Sequence, residues 1–137
     1  MLRGRALARP LHRLATAMNE PALHHVHCPD TADGHRMAWW QWGDPQAAQL
    51  VVCVHGLSRQ GRDFDVLARA LLARAAAQGA SVRVACPDVV GRGESDWLAD
   101  PLRYQFPTYI ADMLALLTTL QQQAPIGAFD WVGTSMG

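Results

Sequence analysis

FDWVGTSMG, at residues 129–137, joins a short apolar run to a G-x-S-x-G pattern. Gly133 and Gly137 stand two residues before and two residues after Ser135. A turn this tight leaves no room for side chains at the two glycine positions, and it holds the serine in a strained conformation with its hydroxyl clear of the sheet. Gly-rich loops produce such a pattern by chance, but here it directly follows an apolar strand. The sequence therefore predicts a nucleophile elbow with Ser135 as the nucleophile.

A second strand end lies earlier in the chain. The run LVVCV at residues 50–54 is apolar at every position, which is typical of a strand covered on both faces in a parallel sheet. His55, Gly56 and Leu57 follow, and the glycine lets the backbone turn so that the next amide points into the site. The amides of Leu57 and Met136 would then form an oxyanion hole. His55 is a candidate base, but its place beside glycine favours a ring that is hydrogen-bonded to neighbouring loops.

The third strand end is PDVVGRGESD, at residues 87–96. Its glycines suggest a phosphate-binding loop, but a dinucleotide fingerprint needs a third glycine where Asp96 stands. A P-loop needs lysine, and the chain contains none. We therefore expect no cofactor here, and we interpret the segment as a turn braced by Asp88 and Ser95.

Periodicity predicts the other elements. Residues 22–28 and 35–42 form an antiparallel hairpin, and strands follow at 50–54, 82–86 and 129–132. A helix is predicted over 63–78, capped by Asp63 and closed by Gly79. A second helix opens at Pro107, with an apolar stripe formed by Ile110, Met113, Leu114, Leu117 and Leu120. This order predicts an α/β fold whose loops gather at the carboxyl ends of the strands, where such sheets bind ligands.

Composition limits the classes of function. The chain has 137 residues, of which 50% are hydrophobic, so a single domain with one core is expected. Twelve arginines balance twelve acidic residues, and a net charge of zero gives no electrostatic reason for a nucleic-acid or membrane-surface partner. Residues 1–18 carry four arginines and no acid. We expect them to be a disordered extension or the product of a start site placed too early, with a targeting peptide as the alternative, and residues 19–137 to form the domain.

The cysteines and histidines suggest structural roles. Cys28, Cys53 and Cys86 show no C-x-x-C spacing, and two of them lie in apolar runs, as buried free thiols of a cytoplasmic protein would. His25 and His27 would share one face of a strand beside Cys28, but no carboxylate stands in register with them. We therefore expect an ordinary edge strand and no metal. The tryptophans of the second strand are expected to pack in the core; they are Trp39, Trp40 and Trp42.

Taken together, the three strand ends resemble the α/β-hydrolase superfamily. The matching motifs are VHG at 54–56, PDxxGxGxS at 87–95 and GxSxG at 133–137, and they occur in the order that the family shows. The likeness covers about residues 20–137 and is that of the N-terminal half of the fold, ending at the elbow. GRDF, at residues 61–64, is similar to a bacterial esterase-like branch that includes lactonases.

The resemblance implies a role for each matching residue. Ser135 would be the nucleophile, and Leu57 and Met136 would supply the oxyanion amides. Members that act on haloalkanes or epoxides carry aspartate at the nucleophile position, so a serine points to acyl substrates. We therefore expect a serine hydrolase that cleaves a small carboxylic ester, thioester or lactone through an acyl-enzyme, with a small acyl substrate as its partner.

The chain departs from the family pattern after the nucleophile. Family members place the acid and the histidine of the triad there, whereas the six histidines of this chain, at 12, 24, 25, 27, 35 and 55, all precede Ser135. A serine without a base is a poor nucleophile at neutral pH. We therefore expect the chain to be a fragment. A non-catalytic binding protein on the same scaffold and an inactive gene remnant remain as alternatives.

Overall fold

The computed structural model describes residues 19–30 and 33–137. The extension proposed for residues 1–18 lies outside the described residues. Five strands form one sheet in the order β1-β2-β4-β3-β5. Their bounds are Ala22–Cys28 for β1, His35–Gly43 for β2, Gln49–Val54 for β3, Arg83–Pro87 for β4 and Ala128–Gly133 for β5.

The sheet combines a hairpin with a parallel unit. Strands β1 and β2 pair antiparallel, with Cys28 opposite His35 at the loop end of the hairpin, and β2 pairs antiparallel with β4. Strands β4, β3 and β5 run parallel. Parallel strands end at the same edge of a sheet, so the loops after β3, β4 and β5 meet there. The predicted hairpin and α/β fold are confirmed.

Two helices connect the parallel strands. Helix α1 (Asp65–Ala77) links β3 to β4 and follows a 3-10 turn at Gly61–Phe64. Helix α2 (Phe106–Gln123) links β4 to β5 and follows a 3-10 turn at Pro101–Arg103. Neither helix combines the length and the apolar character that a membrane span needs.

The prediction for α1 is wrong at its N-terminus and correct at its C-terminus. The expected cap by Asp63 is wrong: Phe64 occupies the N-cap without a side-chain bond, because the 3-10 turn intervenes and Asp63 pairs with Arg59. The expected end at Gly79 is observed. Its φ is +67°, its amide bonds the Ala76 carbonyl, and the Ala80 amide bonds the Ala75 carbonyl. These two bonds make a Schellman motif, which satisfies the last carbonyls of the helix.

Each helix covers one face of the sheet. Leu116 and Leu120 of α2 pack on one face, in a cluster with side chains of all the strands except β5. Phe64 and Ala68 pack on the other face with Trp42. Trp39 and Trp42 are both buried, as a packing role requires.

The apolar stripe predicted for α2 is partly wrong. Leu120 is buried, but Ile110 and Leu114 are about 60% exposed and line an apolar groove of about 290 Å³ beside β5. The residues that face the sheet include Asp112, whose carboxylate accepts a 2.8 Å hydrogen bond from Nε2 of His35. Because α2 is apolar on more than one side, periodicity could not reveal that a partnered aspartate belongs to the buried face.

The three cysteines are free and buried, as predicted. Burial, followed by the nearby Asp112 carboxylate, raises the pKa of the Cys28 thiol to about 12. Cys28 is therefore a protonated thiol at neutral pH.

A buried arginine joins the sheet to the end of α2. The Arg83 guanidinium donates to the carbonyls of Leu120, at 2.8 Å, and Ala124, at 2.7 Å, and to the side chain of Gln123, at 3.2 Å. The last carbonyls of a helix lack intrahelical partners and carry partial negative charge, so a buried cation is stabilised there. Arg83 thus holds the C-terminus of α2 against β4.

We predict that Arg83→Met destabilises the fold by about 1–3 kcal/mol, because it leaves the Ala124 carbonyl without its donor and removes one of the two donors to the Leu120 carbonyl. Urea unfolding followed by circular dichroism measures the change. Arg74→Met, which alters an exposed arginine in the last turn of α1, is the matched control and should change stability by less than about 0.5 kcal/mol. Equal effects of the two substitutions would contradict the role given to Arg83.

Candidate active site

The elbow after β5 has the geometry that its sequence predicts. Ser135 has a φ of +55°, and it is the one non-glycine residue in the described part of the chain with a positive φ. A Cβ at Gly133 would overlap the backbone of Gly137, and a Cβ at Gly137 would overlap the Val54 carbonyl. Only glycine fits at either position, so the two glycines permit the turn that places Ser135 at the end of the strand.

The loop after β3 lies directly against the serine. A Cβ at Gly56 would stand 3.3 Å from the Ser135 Cβ and 3.9 Å from its Oγ. The missing side chain thus allows the backbone to approach Ser135. The backbone amides of Leu57 and Met136 donate to no acceptor among the described residues, so both remain available to a substrate oxygen. The Leu57 side chain is exposed.

His55 is buried and both of its ring nitrogens have backbone partners. Nδ1 lies 2.7 Å from the Gly56 carbonyl, and Nε2 lies 2.9 Å from the Val89 amide. A carbonyl only accepts and an amide only donates, so Nδ1 carries the proton, Nε2 accepts, and the ring is neutral. Burial lowers the pKa of His55, which agrees with this state. The ring therefore connects the loops after β3 and β4 and orients the Gly56–Leu57 peptide, whose N–H belongs to Leu57.

Asp88 joins the same two loops through its carboxylate. Oδ1 accepts from the Gly61 amide at 2.7 Å, and Oδ2 accepts from the Glu94 amide at 2.9 Å. The Ser95 hydroxyl donates to the Asp88 carbonyl and accepts from the Ala38 amide. Asp88 is fully buried, so these bonds form away from competing water. They hold the loops after β3 and β4 in one arrangement.

Sequence reasoning did not single out Arg92. Its Nε donates to the Leu57 carbonyl at 2.9 Å, and a terminal nitrogen donates to the Val90 carbonyl at 2.8 Å and to the Tyr109 hydroxyl at 3.3 Å. Arg92 thus ties the loop of the candidate oxyanion amide to α2. No local motif marks such a residue, because its partners come from different parts of the chain.

No described residue is placed to act as a base for Ser135. Among the described residues, no histidine or carboxylate hydrogen-bonds the serine hydroxyl. His35 pairs with Asp112, and both nitrogens of His55 are engaged with backbone groups. The strand ends therefore bring together Ser135, the candidate nucleophile, and the backbone amides of Leu57 and Met136.

Comparison with known proteins agrees with this geometry. Residues 51–137, more than half of the chain, match the alpha/beta hydrolase family. The chain is 47% identical over 117 residues to a protein of Cupriavidus necator named 3-hydroxybutyrate-oligomer hydrolase, and the match covers 85% of this chain and 36% of that protein.

Two solved structures illustrate the structural likeness. An alpha/beta hydrolase from Novosphingobium aromaticivorans is 34% identical with a TM-score of 0.65, over 86% of this chain and 36% of that one. The thioesterase domain from the curacin biosynthetic pathway is 28% identical with a TM-score of 0.66, over 85% of this chain and 38% of that one. The chain thus spans little more than a third of the length of these relatives. The family match over residues 51–137 agrees with the sheet and with the turn at Ser135. The chain belongs to the alpha/beta hydrolase family.

Proposed function

We propose that this chain carries the nucleophile and the oxyanion hole of a serine hydrolase that cleaves a small carboxylic ester, thioester or lactone. The observation that supports it most directly is the left-handed backbone of Ser135, beside Gly56, where an added Cβ would stand 3.3 Å from the Ser135 Cβ. A non-glycine residue in this conformation costs about 1–3 kcal/mol, and such strain clusters at functional sites. A serine held in this way is available to a substrate from the loop side of the sheet.

The proposed reaction proceeds through an acyl-enzyme. The Ser135 Oγ attacks the carbonyl carbon, and the amides of Leu57 and Met136 stabilise the charge that develops on the carbonyl oxygen. Each such donor contributes about 10²- to 10³-fold in rate. The bond to the leaving alcohol or thiol then breaks, and water hydrolyses the acyl-enzyme.

The serine proton needs a base during the attack. We propose that this base is the histidine that the family places after the nucleophile. His55 is not the base. It is a positioning residue that orients the Leu57 amide through the Gly56 carbonyl.

The relatives support an acyl substrate. One carries a name that specifies 3-hydroxybutyrate oligomers, and another is a thioesterase domain. Among the acyl substrates we place carboxylic esters of short hydroxy acids first, because that relative is 47% identical to this chain. The three free thiols support a cytoplasmic location, where cysteines stay reduced.

The nucleophile is tested with the protein that the complete reading frame encodes. We predict that a fluorophosphonate probe labels it and that Ser135→Ala abolishes the labelling and lowers kcat on a short-chain ester by at least about 10³-fold. Gel fluorescence and ester hydrolysis measure the two effects. Ser58→Ala, in the exposed loop after Leu57, is the matched control and should leave labelling intact. Labelling that persists in Ser135→Ala, or none in the unaltered protein, would favour a non-catalytic scaffold.

The state of His55 predicts a pH dependence of stability. Its folded pKa is lowered by burial, so its contribution is fully present above the unfolded pKa of about 6.5 and is lost as the pH falls through the folded pKa. Protonation of Nε2 would remove the acceptor of the Val89 amide. We therefore expect the urea midpoint to fall between pH 7.5 and pH 5, and to fall less in His55→Gln, which cannot be protonated.

The control for this prediction is His27→Gln, at an exposed position of β1. It should retain the pH dependence of the unaltered protein. The lowered pKa of the partly buried His24 contributes equally to all three proteins, so the comparison isolates His55. An unchanged pH dependence in His55→Gln would contradict the neutral, doubly bonded ring.

A further inference from the structure

A second cluster of reactive side chains lies at the loop end of the hairpin. Cys28 ends β1, His35 begins β2 directly opposite it, and Asp112 reaches them from α2. The thiol sulfur, a ring nitrogen and a carboxylate oxygen all lie within 4.8 Å of one another. All three residues are at least 95% buried, and none of them takes part in the proposed ester cleavage.

We propose that Cys28, His35 and Asp112 supply three ligands of a single zinc ion, with water as the fourth, and that the ion fastens the hairpin to α2. Thiolate, imidazole and carboxylate are the three donor types that zinc takes in proteins, at bond lengths of about 2.0–2.3 Å. Tetrahedral bonds of that length place the donor atoms about 3.3–3.6 Å apart. His35 Nε2 and the Asp112 oxygen are now 2.8 Å apart and must separate by about half an ångström. Other donor atoms of the cluster lie up to 4.8 Å apart and must approach by up to about 1.2 Å before the ion is bound.

The charges of the cluster suit a buried divalent cation. The Cys28 thiol loses its proton to solvent on binding, and the thiolate and the Asp112 carboxylate then neutralise the two positive charges of zinc. A neutral assembly avoids the cost of an uncompensated buried charge. His35 changes tautomer on binding: its proton moves through solvent from Nε2, which now donates to Asp112, to Nδ1, and the neutral ring then binds zinc through Nε2.

The surroundings of His35 match a common arrangement at zinc sites. Its Nδ1 lies 3.7 Å from a carboxylate oxygen of Asp30, and Asp30 is paired with Arg103. Metal-binding histidines typically present their other ring nitrogen to a carboxylate, which fixes the tautomer and increases the basicity of the ligand. At 3.7 Å the two groups are not hydrogen-bonded, and Asp30 would orient His35 in this way once they approach on zinc binding.

The sequence did not indicate this site. Residues 24–28 offer histidines and a cysteine, but no carboxylate stands in register with them. The carboxylate comes from Asp112 of α2, 84 positions beyond Cys28. The imidazole comes from the buried His35, and not from His25 or His27, which are exposed. The donor set exists only once the hairpin has packed against the helix.

Cobalt substitution tests the proposal on the protein that the complete reading frame encodes, purified with a chelator that is then removed. We expect Co²⁺ to bind at one equivalent and to give the visible bands of a tetrahedral ion together with a near-ultraviolet band from the thiolate. Zinc should displace it and raise the thermal midpoint. Cys28→Ser should remove the thiolate band, and Asp112→Asn should weaken cobalt binding at least about tenfold.

Two matched variants exclude other sites. Cys53→Ser removes a different buried thiol, and His25→Gln with His27→Gln removes the exposed imidazoles of β1; both proteins should keep the thiolate band. The measurement on the unaltered protein decides the question even if a variant fails to fold. Absence of a thiolate band at millimolar cobalt would overturn the proposal, and so would a band that survives Cys28→Ser or disappears with the β1 histidines. Ester hydrolysis is not a readout here, so this result is independent of the proposed reaction.

Discussion

The left-handed backbone of Ser135 is the constraint on which the candidate site depends. A serine adopts this conformation at a cost of about 1–3 kcal/mol, and it persists only where the surroundings leave no alternative. Here the Thr134 amide bonds the Val54 carbonyl at 3.1 Å, and the Gly137 amide bonds the Thr134 carbonyl at 3.0 Å. The turn is therefore attached to the end of β3 as well as to its own strand. The adjacency of β3 and β5 in the sheet makes the serine a neighbour of the Gly56 loop.

Buried polar side chains then hold the loops around that turn. His55, Asp88 and Arg83 are all buried, and each is hydrogen-bonded to backbone groups of a different element. A buried polar group that loses its partner costs about 1–3 kcal/mol, so each of these residues favours one arrangement of its loop or helix end. Arg92 adds a more exposed link between Leu57 and α2. The amides of the candidate oxyanion hole are thus positioned by side chains that come from outside the turn at Ser135.

The helices show where prediction from periodicity succeeds and where it stops. Gly79 ends α1 as expected, because a Schellman motif depends on local backbone conformation. The buried face of α2 was predicted only in part. Asp112 occupies it because His35, 77 positions away in the sequence, supplies a hydrogen bond. Ile110 and Leu114 are apolar but exposed. Because apolar residues lie on several sides of α2, the spacing of apolar residues does not single out one buried face.

The sequence by itself determined the strand order along the chain, the parallel character of β3 and the positions of the three strand-end motifs. These depend on local patterns: apolar runs, glycines in tight turns, and the steric demands of G-x-S-x-G. Only the tertiary structure decided which groups meet. It placed Gly56 against Ser135, Arg92 on the Leu57 carbonyl, and Cys28 and His35 beside Asp112. The physical reason is that buried hydrogen bonds and ligand sets join residues that are distant in the chain, and only the packed sheet and helices bring them within reach.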